Sequence, residues 1–349
     1  MRSRIIKTVA AVAALAAVAV SCAQYETEDN LTAQKRIREA WMRVNRGEVI
    51  EPDENGLYVF EKVVGNGAKI GDTAYVLLDY VSRDLEGNLT KYTTEEAARL
   101  MGTYTNTKYY SPEIVQMGNY KLYTPVENFI KSLNCGGQAS FLLPPEATTY
   151  DYPKDLKKYY KSYGNDGTEP AVTVNSLYDV KVVDVIDDIY KYQIDKLEDF
   201  AAKRYNGLDS ISEGYYMLKL EESPYQSDSI PSGRSVKVRY IGKLLDGFCF
   251  DTNIQDSAKV YGLYKVGNTY DALSVTYYPD GYTTGSDGNK TYSSEVINGF
   301  AMTVGRMKYG EKAIAFFWSN LAYGSSSADG YPAYSPMWFY IEIPRKDNE

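Results

Sequence analysis

The chain has no histidine among its 349 residues, and that absence removes several chemistries together. Ser-His-Asp and Cys-His nucleophile activation, histidine-ligated zinc and imidazole pH switching all need a ring this protein does not have. Cysteine is nearly as scarce, at three residues, Cys22, Cys135 and Cys249. Positive charge is in deficit: 38 Lys and Arg face 46 Asp and Glu, a net charge of −8, which argues against a nucleic-acid partner. A nucleotide fingerprint is also missing, because "GNGAKIG" (65–71) has one residue too many and leads into a strand instead of a helix. "YPDGYTTGSDGNK" (278–290) holds Asp280 and Asp287 without the ligand spacing of a calcium loop, so it reads as solvated turns. No cofactor and no metal are expected. Tyrosine, by contrast, is abundant, at 35 residues.

At the N-terminus, Arg2, Arg4 and Lys7 precede the apolar run "TVAAVAALAAVAV", which is short for a membrane span and reads as the core of a signal peptide covering 1–21. It ends in "AVSC" (19–22), which resembles the lipobox of bacterial lipoproteins and implies that Cys22 is lipidated and becomes the mature N-terminus. Two acyl chains would anchor stably where one would not. Loss of 1–21 removes three positive charges and no negative ones, taking the net charge from −8 to −11. The tether 22–32 opens "CAQYETEDN" and resembles the acidic tag of Bacteroidetes surface lipoproteins. The expectation is an outer-membrane lipoprotein on the periplasmic or cell-surface face. Cys135 and Cys249 are left either to pair, as exported proteins allow, or to stay as buried free thiols, which their placement in different domains favours.

The same order of features occurs twice. "AQKRIREAWMRVN" (33–45) spaces Ile37, Trp41 and Val44 helically, and "YQIDKLEDFAAKRY" (192–205) does so with Ile194, Leu197, Phe200 and Ala201; both predict amphipathic helices. Each precedes a strand entry, "GLYVFEKV" from Gly56 and "GYYMLKLE" from Gly214. In the next block Tyr80 and Tyr240 both stand seven residues before a glycine, Gly87 or Gly247. Val236, Val238 and Tyr240 alternate with Lys237 and Arg239, the pattern of a half-buried strand. The remaining shared blocks are 132–150 against 306–324 and the terminal strands "NSLYDVKVV" and "PMWFYIEI". Long Tyr-, Gly-, Ser- and Asp-rich insertions at 91–121, 152–169 and 252–294 separate the shared blocks. The expected architecture is α+β: domains over 33–186 and 212–345 of mainly antiparallel sheet, each led by a helix, with 187–211 as the linker helix.

The second half resembles the FKBP-type peptidyl-prolyl isomerases through "VKVRYIGKLLDGFCFD" (236–251), "VINGF" (296–300), "MKYGEKAIAFFWSNLAYG" (307–324) and "PMWFYIEI" (336–343), in the family's order. The first half resembles the family more faintly, through "GDTAYVLLDY" and "PVENFIKSLNCGGQASFLLPPE". The resemblance implies two FKBP-like domains, each a twisted antiparallel sheet wrapped over a short helix with an apolar pocket between them. Carried over by position, Tyr240, Phe250 and Phe339 become pocket walls, Val296 and Ile297 the entry to the helix, and Phe300 the floor. Asp251 becomes the pocket carboxylate and Tyr323 the hydroxyl that bonds the bound peptide. The implied activity is prolyl cis-trans isomerisation, which needs no nucleophile, on proline-containing polypeptides, in an exported folding helper held at the membrane by its lipid. An FKBP-like lipoprotein without catalysis, serving as a binding or structural module, is the alternative. Two departures stand out: Phe300 replaces the tryptophan usual at the floor, and "SSSADGYPAYSP" (325–336) lacks the apolar pair that precedes the flap proline. In the first half Thr90 and Lys91 fall where Phe250 and Asp251 stand, so catalysis is expected in the second half alone.

Overall fold

The computed structural model describes residues 30–150 and 174–345. The leader, Cys22 and the 152–169 stretch lie outside the described residues. Within them the fold is α+β: two six-stranded antiparallel sheets, one in each half. The first contains β1 (Tyr58–Val63), β2 (Tyr75–Arg83), β3 (Leu89–Tyr92), β4 (Glu113–Gln116), β5 (Gln138–Leu143) and β6 (Ser176–Ile186). Its order is β1-β5-β6-β2-β3, with β4 also paired to β2. The second contains β7 (Tyr215–Glu221), β8 (Ser235–Leu244), β9 (Cys249–Thr252), β10 (Leu273–Thr276), β13 (Lys312–Phe317) and β14 (Met337–Glu342). Its order, β7-β13-β14-β8 with β9 and β10 both on β8, repeats the first strand for strand. A separate hairpin of β11 (Tyr282–Thr284) and β12 (Lys290–Tyr292) has no counterpart among the described residues of the first half.

Each sheet has a helix on either side, and strand alternation decides what each helix meets. In the second half Tyr215 and Phe317 point into the main core with the inner helix, while their neighbours Tyr216 and Phe316 point to the outer one. The first half divides Phe141 and Leu143 from Tyr58 and Leu142 in the same way. The inner helices are α3 (Thr124–Lys131) and α6 (Asn298–Val304); the outer ones are α1 (Asn30–Arg46) and α4 (Ile189–Arg204). On α4 the expected stripe is the docked one, with Leu197 and Ala201 buried and Ile194 and Phe200 packed beside them. On α1 it is not. Ile37 and Val44 are exposed, and the helix instead buries Met42 and Arg38, because the Arg38 guanidinium is neutralised by Glu146 from the turn after β5. No helix of the described residues is long and apolar enough to cross a membrane.

The insertions require a second correction, since they are not simply material between repeated blocks. Residues 94–110 and 254–270 fold alike: a six-residue helix, α2 (Glu95–Leu100) or α5 (Gln255–Val260), is followed by Gly102 or Gly262, both at positive φ. Two stacked tyrosines come next, Tyr104 with Tyr110 at 5.7 Å and Tyr264 with Tyr270 at 5.6 Å. The second tyrosine of each pair accepts from a backbone amide, Thr105 N at 3.2 Å or Lys265 N at 2.9 Å. The duplicated unit therefore includes these excursions.

Cys135 and Cys249 are both free thiols. Cys249 is buried, which pushes its thiol up to about 11, whereas Cys135 is half-buried and reaches only the Val183 carbonyl, at 3.4 Å. Because the thiolate is the reactive form, iodoacetamide at pH ~8 should label Cys135 well before Cys249, with both labelled in urea. Equal labelling rates by peptide mapping of the native protein would show that Cys249 is not shielded.

Candidate functional site: an aromatic cluster around a tyrosine–aspartate pair

In the second half, antiparallel register brings together residues spread over a hundred positions. Phe339 on β14 stands opposite Ala315 on β13 and Gly242 on β8, and Gly242 stands opposite Asp251 on β9. Gly242 is required by the packing: a Cβ there would lie 2.8 Å from the Phe250 ring and 2.9 Å from that of Phe339. The rings close over that gap. Phe250 meets Phe339 at 5.8 Å, Phe300 meets Phe339 at 5.4 Å and Tyr240 meets Phe300 at 5.6 Å, all edge to face, the geometry that aromatic quadrupoles favour. Phe300 and Phe339 are buried, and Val296 and Ile297 pack at the rim. Ile297 is the extended residue before α6, with φ −65° and ψ 153°, so it enters the helix where the sequence placed it.

The polar groups sit at the mouth of this cluster. Tyr240 Oη donates to Asp251 Oδ2 at 2.6 Å; burial, and then the Asp251 hydrogen bond and charge, hold that phenol well above its ordinary value. Asn253 and Thr252 clamp the carboxylate strand in place. Asn253 Oδ1 accepts from Tyr240 N at 2.8 Å, its Nδ2 donates to the Val238 carbonyl at 2.8 Å, and Thr252 Oγ1 donates to the Tyr240 carbonyl at 2.7 Å. Burial pushes the Tyr323 hydroxyl up to about 12, with no hydrogen bond contributing. Among the described residues no group of three or more Cys, Asp and Glu side chains is placed to hold a metal ion.

Two residues packed against the second-half core were missed by sequence reasoning. Tyr331, from the 325–336 loop, stacks on Tyr323 at 4.4 Å and meets Phe250 edge to face at 5.6 Å. Its neighbour Gly330 lets the loop come down, since a Cβ there would lie 2.7 Å from Phe250 Cβ. Tyr109 arrives from the first half. Its Oη donates to Asp246 at 2.6 Å, its amide donates to the Asp329 carbonyl at 2.6 Å, and its ring meets Phe248 at 5.1 Å. The "DGY" of the loop was a legible signal for a ring at its tip; nothing local points to Tyr109.

No protein family and no curated protein matches the sequence. Solved structures similar to the chain include the three FKBP domains of wheat FKBP73, at 15% identity over 83% of this chain and 93% of that one, with a TM-score of 0.27. Another is a peptidyl-prolyl cis-trans isomerase from Pseudomonas syringae pv. tomato, at 22% identity over 44% of this chain and 92% of that one, with a TM-score of 0.30.

The first half repeats the framework with different contents. Lys91 stands opposite Ser82 across β2 and β3, where the second half has Asp251 opposite Gly242. A carboxylate is nonetheless present, supplied by another strand: Tyr80 Oη donates to Glu113 Oε2 at 3.1 Å. Phe129 is fully buried in the core. Tyr80 and Tyr178 line a cavity of about 350 Å³.

Proposed function

We propose that the protein is a peptidyl-prolyl cis-trans isomerase acting on proline-containing polypeptides through the second-half pocket, tethered at the outer membrane by a lipid on Cys22. The observation that carries this reading is the convergence of Tyr240, Phe250, Phe300 and Phe339 beneath the Tyr240–Asp251 pair, with the Tyr323 hydroxyl half-buried beside it. Rotating a prolyl amide breaks its resonance against a barrier of about 18–20 kcal/mol. The twisted amide has lost charge separation, so aromatic walls that exclude water favour it over the planar ground state. Fixed polar groups then hold the flanking carbonyls: Tyr323 as the hydroxyl donor, with Asp251 fixing the Tyr240 phenol.

Each polar group supplies one hydrogen bond, and one such bond is worth about 0.5–1.5 kcal/mol. Asp251→Ala and Tyr323→Phe should therefore each lower kcat/KM on a Xaa-Pro peptide about 3- to 10-fold without changing the unfolding transition. With no imidazole in the chain, the rate should stay level between about pH 6 and pH 9. A wild-type full-length chain whose rate equals that of the uncatalysed reaction would remove the isomerase reading. The alternative, a peptide-binding module without turnover, draws support from Tyr331, which covers Tyr323 and Phe250 and must move before a proline reaches the rings.

A further inference from the structure

We infer that the first-half cavity is a second binding site, separate from the aromatic pocket, and that it takes an acidic polypeptide segment with an apolar side chain in the cavity and a carboxylate at its mouth. One position on the cavity floor differs between the halves. Val126 lies three positions after Tyr123, the extended residue before α3, as Phe300 lies three after Ile297 before α6. The floor position that holds a phenylalanine ring in the second half thus holds an isopropyl group in the first. Leu78, Phe141 and Val180 complete an apolar interior, and about 350 Å³ lies within the range of roughly 300–1,000 Å³ usual for ligand pockets.

The mouth has the opposite charge character to that of the second half. Glu113 is occupied by the Tyr80 hydroxyl. Lys91, which replaces the carboxylate of the other half, and Lys121 both line the opening, and neither forms an ion pair with a described residue. Two ammonium groups with no carboxylate partner among the described residues, at an apolar cavity on a chain of net charge −8, select an anionic group attached to an apolar body. The roof comes from the other half: Ser325, Ser327, Ala333 and Tyr334 line the cavity, and Tyr334 meets Tyr75 edge to face at 5.1 Å. The serine hydroxyls and the rim lysines supply donors for peptide carbonyls and a carboxylate.

The test is fluorescence anisotropy on the full-length protein with dye-labelled peptides that lack proline: Gly-Ser-Leu-Asp-Gly, its Gly-Ser-Leu-Lys-Gly counterpart, and dodecanoate as a competitor. The acidic peptide should bind at least about tenfold more tightly than the basic one, a difference of about 1.4 kcal/mol. Lys91→Glu, at an exposed position, should abolish that preference. Val126→Phe, which installs the ring the second half carries, should abolish binding while the thermal transition is retained. Asp251→Ala should leave binding unchanged, so a failed isomerase assay would not affect this result. Equal affinity for the two peptides, unaltered binding by Lys91→Glu, or loss of binding in Asp251→Ala would overturn the assignment. So would binding of dodecanoate without either peptide.

Discussion

Phe339→Ala should destabilise the second half by about 3–5 kcal/mol, the range for deleting a buried phenylalanine ring. The upper part of that range applies because the site cannot refill. Phe339 is 3% exposed, and its ring lies 5.4 Å from Phe300, 5.8 Å from Phe250, 5.8 Å from Phe317 and 6.4 Å from Tyr240. Its two cross-strand neighbours are Ala315 and Gly242, the residues least able to move into a void. Two of the three tryptophans, Trp318 and Trp338, pack on the outer side of the same sheet. Their fluorescence should therefore report the shift in urea. Phe339→Leu keeps most of the volume and should cost less than half as much. A change below about 1 kcal/mol for the alanine variant would mean that the cluster is loosely packed, which would also weaken its reading as a rigid, water-excluding pocket.

Arg38→Ala should have a comparable effect on the first half, again about 3–5 kcal/mol, for an electrostatic reason. Arg38 is 3% exposed. Its guanidinium pairs with Glu146, whose side chain is 14% exposed, and Nε donates to the Tyr58 hydroxyl at 3.1 Å. Its plane also lies over the Tyr58 ring, 5.1 Å from the centroid. Burial raises the Tyr58 hydroxyl above its ordinary value, and the Arg38 charge pulls in the opposite direction. Removing Arg38 alone leaves the Glu146 carboxylate buried without a counter-charge. Removing both charges does not, so Arg38→Met combined with Glu146→Leu should recover most of the loss. Trp41, on the same helix, gives the optical signal. A single and a double variant of equal instability would show that the loss comes from packing at α1 and not from the orphaned charge.

These two sites also mark what could be read along the chain. Period-2 alternation in 236–240 and in 337–343 identified strands whose inward residues are the buried ones, because a strand states its faces locally. Of the α1 stripe only Trp41 packs inward; apolar spacing does not reveal Arg38, which is buried through a partner 108 positions away. The repeated excursions carried a usable signal that went unread. A glycine, a tyrosine two residues later and a second tyrosine six beyond that recur at Gly102, Tyr104 and Tyr110 and at Gly262, Tyr264 and Tyr270. Their flanking residues differ enough to hide the match.

By itself the sequence determined the duplication, the α+β class and the chemistry that the missing histidines exclude, because composition, block order and periodicity are properties of the chain. It also nominated the aromatic residues that meet around Phe339. The tertiary structure alone decided that the first half holds a cavity of about 350 Å³, since one side chain at the floor, Val126 or Phe300, has meaning only against the rings that face it. It alone placed Tyr109 of the first half against the β8–β9 turn and the 325–336 loop of the second, and Tyr334 of the second half over the cavity of the first. Contacts between residues more than a hundred positions apart are set by how the sheets pack, and no local pattern in the chain encodes them.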